Sequence, residues 1–372
     1  MFESLVDRSS GGVSRRAVLG AIGAAGLTAA VASAKQPQES KTAQPEAAKP
    51  QPTPTASAPV GAASVNASTD LNGAGFYRFK VGAFTLTVLT DGSFPLGGNS
   101  GFYPMIGANA TKEDVDAAAA EILVPPARPL GHVHGMLIDT GAGDSGRILI
   151  DSGCGTGMGP TTGRLPKALQ LAGVSPAQIG AVIITHAHPD HVGGLMEASG
   201  PNVFPNAQFY VNKAEVDFWM GNPDLSKIRL DVKMKDAVTM TAKTLFSQLT
   251  EAPYKARLHQ IGDGDKVIEG VSLMGAPGHT PGHSGVTISS GADKLVYITD
   301  VAHHAGMQFP HPDWHVAYDT DPVMAARTRR TVLAKMASDK TLVSGAHLPF
   351  PAVGYVRKEG AGFAWVPRTW EW

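Results

Sequence analysis

The sequence predicts an α/β sandwich with mixed sheets, and three observations predict it. Strand-like segments open and close the folded stretch, helical segments are interspersed between them, and several turns join strands that are neighbours in sequence. That pattern favours mixed sheets over a doubly wound parallel sheet, in which strands and helices alternate strictly.

Length and composition set the bounds. The chain has 372 residues, a formal charge of −1 and 43% hydrophobic residues, enough for a large core. It has no basic excess of the kind that binds nucleic acid or an anionic membrane surface. The single cysteine, Cys154, excludes an internal disulfide and any cysteine-built zinc or iron–sulfur site. With 13 histidines present, metal chemistry would rest on nitrogen and oxygen ligands.

The first residues read as an export signal. The pair Arg15-Arg16 precedes an apolar, Ala/Gly-rich run from Ala17 to about Val31, and Ala32-Ser33-Ala34 is an A-x-A cleavage pattern. The run is short for a membrane span and resembles a twin-arginine signal, so residues 1–34 are expected to direct export to the periplasm or medium. Residues 35–74 are mostly Pro, Ala, Gln, Thr and Ser, too poor in large apolar groups to offset their ordering entropy, and are expected to be a linker. Residues 75–372 then form one domain.

Within it, Phe84 to Leu89 alternates as a strand does, and Asp91-Gly92 reads as the turn that ends it. His134 to Asp139 and Arg147 to Asp151 read as a strand pair. Leu165 to Ala172 has helical spacing with Gly173 as C-cap, and Ser175-Pro176 starts a short turn. Ala181 to Thr185 is a continuous apolar run, the mark of a strand buried on both faces. Leu225 to Leu249 reads as helix. Val271 to Gly275, Ser284 to Ser289 and Lys294 to Thr299 read as strands. Asp321-Pro322, an N-cap and a proline at the first helical position, opens a helix to about Met336, and Thr341 to Ser344 is a last buried strand.

The chemistry concentrates at strand ends. Thr185-His186-Ala187-His188-Pro189-Asp190-His191 follows a buried strand, and its four ligand-type side chains converge on a small volume. His186 and His188 can face one ion, Asp190 and His191 a second; imidazole and carboxylate suit zinc, and also manganese, iron or cobalt. Further ligand-type residues stand where later strands run out: His279 and His283 in Gly278-His279-Thr280-Pro281-Gly282-His283, Asp300 in Ile298-Thr299-Asp300, and His347 in Ser344-Gly345-Ala346-His347.

These motifs together resemble the metallo-β-lactamase-fold hydrolases, over the chain from about Phe76 to its end. Among them the resemblance runs to methyl parathion hydrolase and lactonase-like enzymes, through Thr185 to Met196, Phe204-Pro205-Asn206-Ala207, Asp217-Phe218-Trp219, His347-Leu348-Pro349-Phe350-Pro351 and Gly354 to Trp365. The resemblance implies an αββα sandwich, two mixed sheets with helices outside and the site at one edge. It implies two divalent ions, zinc in the first instance: His186, His188 and His283 on one, Asp190, His191 and His347 on the other, and Asp300 between them. His279 competes for the place of His283, which the family pattern favours.

A pair of cations lowers the pKa of a bridging water from 15.7 toward about 7, and the hydroxide attacks a carbonyl or phosphoryl centre. Asp190 is a candidate for proton transfer, although its ligand role is the safer assignment. The expected activity is hydrolysis of a small-molecule ester, lactone or phosphotriester. Trp219 and Phe309, from the resemblance, and His303 are the candidates for the pocket wall. The plainer reading of the aromatics is core packing. A β-lactamase-type amide hydrolase is the alternative, disfavoured because the zinc β-lactamases of the main type place a cysteine where Asp300 stands. A non-catalytic metal-binding module is disfavoured by the complete ligand set. No nucleic-acid partner and no membrane contact of the mature chain are expected, and a homodimer is left open.

Overall fold

A computed structural model describes residues 75–96, 101–124, 129–197 and 199–370. The predicted signal and linker lie outside the described residues. Two seven-stranded sheets face each other. The first runs in the order β1 (Phe76–Val81), β2 (Phe84–Pro95), β3 (Leu130–Asp139), β4 (Arg147–Ile150), β5 (Ala181–Ile184), β6 (Gln208–Asn212) and β7 (Leu258–Ile261). Its early pairs are antiparallel, and β4 to β7 pair in parallel. The second sheet follows the order β8 (Lys266–Ile268), β9 (Val271–Gly275), β10 (Ser284–Ser290), β11 (Asp293–Tyr297), β12 (Leu342–Ser344), β13 (Val353–Glu359) and β14 (Gly362–Pro367). Only β11 and β12 pair in parallel there. Both sheets are mixed.

The period-two alternation of the strands builds three layers of core. Met136, Ile138, Ile148 and Ile150 point inward and meet Leu273, Val286, Ile288 and Tyr297 of the other sheet. The alternate residues Leu137, Leu149, Val182 and Phe209 point outward. They bury the apolar faces of α2 (Leu165–Leu171), α4 (Lys213–Met220) and α5 (Val232–Leu249), the last through Leu245 and Phe246. On the far side Val296, Ile298 and Val343 pack against Leu333 and Met336 of α7 (Pro322–Asp339). The result is an αββα sandwich. The remaining helices are α1 (Lys112–Glu121), α3 (Pro189–Val192) and α6 (Ala305–Gln308). Among the described residues no helix is long and apolar enough to cross a membrane.

Side-chain caps fix several helix starts. Asp321 accepts a hydrogen bond from Met324 N with Pro322 at the first helical position. Asp231 accepts from Met234 N, so α5 begins only at Val232. The expected helix from Leu225 is therefore loop up to the cap, and that loop turns its apolar residues elsewhere. The expected turn at Asp91-Gly92 is also corrected. β2 continues through it to Pro95 with a bulge between Thr90 and Gly92. Gly92 sits at φ 130° and Asp91 turns into the interior, accepting from the backbone N–H groups of Cys154, Gly163 and Leu165. A buried carboxylate with three donors outweighs the local turn propensity of Asp-Gly.

Candidate metal centre

The ligand-type residues collect along one edge, at the carboxyl ends of β4, β5, β11 and β12 and in the β9–β10 loop. β5 delivers His186 and His188 as it ends, and the single turn of α3 then turns Asp190 and His191 into the same space. The ligand atoms of His186, His188 and His279 all lie within 4.8 Å of one another, as do those of Asp190, His191 and His347. Asp300 stands between these sets. Its Oδ2 is 3.7 Å from His186 Nε2, 3.3 Å from His279 Nε2 and 3.2 Å from His347 Nε2, and its Oδ1 is 3.1 Å from His191 Nε2.

Three of these atoms, His186 Nε2, His191 Nε2 and Asp300 Oδ1, are buried without a hydrogen-bond partner in the protein. Orphaned buried polar atoms are costly, and here they converge. Burial holds His186 and His188 well below the usual imidazole range, so both are neutral with a lone pair to give. Burial alone would raise the Asp300 pKa, but His191 and His347 beside it hold the carboxyl well below its ordinary range. The neutral imidazoles of His186 and His188 and the ionised Asp300 carboxylate, set around unpartnered atoms, fit divalent cations.

The orientation of each ring is set from behind. His191 Nδ1 donates to Asp151 Oδ2 at 2.8 Å, and Thr185 donates to the same carboxylate through its N and Oγ1. His347 Nδ1 donates to the carbonyl of His132 at 2.5 Å. His279 Nδ1 donates to Asp319 Oδ1 at 2.8 Å, leaving Nε2 facing His188 and Asp300. The loop carrying Asp319 is held by buried Arg329 of α7, which donates to the carbonyls of Val301, Pro312 and Trp314.

Both candidates for the third place stand at the cluster: His279 groups with His186 and His188, and His283 with His186 and Asp300, the ligand atoms of each set lying within 4.8 Å of one another. His283 lies close to the cluster, but both its ring nitrogens are occupied. Nδ1 donates to Ala276 O at 2.7 Å, and Nε2 accepts from the N–H of Asp300 at 3.2 Å with Thr299 Oγ1 at 2.7 Å. Burial lowers its pKa to about 3. Its visible work is to brace the Asp300 backbone.

A cavity opens on the cluster. Its floor is His188, Asp190, Asp300, His303, Tyr318 and His347, and its walls include Phe94, Met105, Met158, Leu225, Ile228 and Met234. Lys235 is the single lysine or arginine lining it among the described residues. His303 takes the expected place, with Nε2 3.0 Å from Asp300 Oδ2. Trp219 and Phe309 do not. Both are fully buried, Trp219 in the core beneath α4 and Phe309 against Trp365 behind the second sheet. Large aromatic area was better satisfied by packing between layers than by lining a cavity. The sequence reading missed Tyr318, whose ring lies 5.0 Å from that of His303, and the buried carboxylates Asp151, Glu215 and Asp319. Asp151 ends a strand beside the ligand motif, which is a usable signal; Tyr318 and Glu215 carry none.

Fold and site together define a metallohydrolase, and residues 128–347 match the metallo-beta-lactamase superfamily, to which the chain belongs. The relatives narrow this. The chain is 29% identical to a dizinc quorum-quenching lactonase solved with its product, with a TM-score of 0.71 over 80% of this chain and 98% of that one. It is 28% identical to a hydrolase of the beta lactamase superfamily, with a TM-score of 0.70 over 80% of this chain and 98% of that one. It is 23% identical to an N-acyl homoserine lactonase of Bacillus cereus, over 56% of this chain and 69% of the relative. It is also 23% identical to a probable metallo-hydrolase of Mycobacterium bovis over 46% of this chain; that match spans 57% of the relative's length. The chain is a metal-dependent hydrolase of this superfamily.

Proposed function

We propose that the chain hydrolyses a lactone or other carboxylic ester whose acyl part is apolar. The carrying observation is the cavity itself, in which a floor of ligand-type residues is walled by mostly aliphatic side chains with one lysine, Lys235, among them. An apolar acyl chain leaves water by entering it, and the ester group is left over the ligand cluster.

In this reading His186, His188 and His279 hold one divalent ion, Asp190, His191 and His347 hold the other, and Asp300 lies between the two. Zinc suits the nitrogen and oxygen donors, and a dizinc relative of the same architecture supports it. When bound, such ions supply a water of lowered pKa and polarise the ester carbonyl. The chain's own groups do the rest. His303 fixes the Asp300 carboxylate through Nε2. Burial pushes the Tyr318 phenol well above its usual pKa, so at neutral pH it stays a hydrogen-bond donor to a substrate oxygen. Asp190, at the cavity floor, serves this reading first as a ligand and is the candidate for proton transfer only second to that.

The test is a homologous series of aryl esters and acyl lactones of increasing chain length, with an aryl phosphotriester and a chromogenic β-lactam alongside. kcat/KM should rise with acyl length for the esters or lactones, metal analysis should give about two ions per chain, and a chelator should abolish turnover. A flat length dependence, or fastest turnover on the phosphotriester or the lactam, would overturn the proposed substrate class.

A further inference from the structure

Glu215 stands at the first turn of α4, fully buried, outside the ligand cluster, with no part in the chemistry described above. Each of its carboxylate oxygens serves a different loop. Oε1 accepts from the backbone N–H of Ala187 at 3.0 Å, between His186 and His188. Oε2 accepts from the hydroxyl of Thr280, which directly follows His279, and from Gly282 N at 3.2 Å. Trp219, one helical turn on, donates its indole N–H to Oε1 at 2.7 Å and locks the carboxylate to its own helix. The approach of the second loop is close: a side chain at Gly282 would place its Cβ 2.1 Å from Glu215 N.

Resting on the ion assignment proposed above, we infer that Glu215 is the positioning residue of the His186–His188–His279 subsite. It sets the distance between the two loops that form it. The other subsite is braced independently, by Asp151 behind His191 and the carbonyl of His132 behind His347. Glu215 therefore acts on one ion and not on both.

Two acceptor oxygens are essential to this task. In Glu215→Gln one oxygen becomes an amide NH2, which faces a backbone N–H with another donor and releases one loop. The substitution keeps the size and shape of the side chain, so the loss is confined to one hydrogen-bond acceptor. Thr280→Val removes a single donor from the His279 loop and serves as the milder variant.

Zinc is titrated into metal-free wild type and both variants, with calorimetry for affinity and circular dichroism and thermal unfolding to confirm the fold. Wild type should bind two ions. Glu215→Gln should bind one with unchanged affinity and the other about 10–100-fold more weakly, the range for lost support behind a ligand. Thr280→Val should show the same one-sided loss to a smaller degree, which also decides the matter if Glu215→Gln does not fold. Equal weakening of both ions would mark Glu215 as general support and overturn the inference, as would unchanged binding. A wild type that binds no zinc would overturn the ion assignment itself, and this inference with it.

Discussion

The floor and the wall of the cavity are built on opposite terms. At the floor, three histidines have a directional partner on the ring nitrogen turned away from the cluster: Asp151 behind His191, Asp319 behind His279, the His132 carbonyl behind His347. The wall is assembled from β2, the stretch around Met105, the loop carrying Met158, the segment 221–231 and α5. Its loop is held by little more than Arg229, donating to the carbonyls of Ala108 and Ala317, and the exposed Lys227–Asp321 pair at 2.7 Å. Directional bonds over-determine a geometry, whereas apolar contacts of similar volume can be exchanged at modest cost. The floor is thus fixed for chemistry, and the wall is free to change substrate preference without disturbing it.

That contrast is broken or sharpened by four substitutions. The largest effect on stability is expected at a residue that belongs to neither region. Trp219→Ala leaves a cavity in the outer core and should cost about 3–5 kcal/mol in denaturant unfolding. The order in which esters are preferred should not change. A variant with wild-type stability and a reordered preference would return Trp219 to the wall.

Asp300→Asn keeps the size of the floor's central residue and removes its charge. Turnover should fall at least 100-fold, about 2.7 kcal/mol of barrier, with weaker binding of both ions by metal analysis. Full activity with both ions retained would remove Asp300 from its place between them.

The smallest effect should come from His283→Ala, which strips a brace from beneath the floor. It leaves the Asp300 N–H and the Ala276 carbonyl without their ring partner, at about 1–3 kcal/mol of stability, with both ions still bound. His279→Ala should instead lose one ion. If the two variants behaved in the opposite way, the roles proposed for these histidines would be wrong.

What the sequence determined by itself is local. The run Ala181 to Thr185 read as a buried strand, and Thr185 to His191 at its end as a cluster of ligand-type side chains, because both signals lie within a few bonds of one another. The strand alternation likewise dictated which residues face between the sheets. The tertiary structure decided whatever depended on distant partners. His279 and His283 have the same side chain, the same loop and the same burial; they part because Asp319 lies behind one, while Ala276 O and Asp300 N enclose the other. Asp91-Gly92 became a bulge because backbone donors from residues 154–165 reached its carboxylate. Trp219 went to the core and Tyr318 to the cavity because the layers met over one and left the other open. A buried polar group takes the partner that folding brings to it, and chain-local pattern carries no record of that partner.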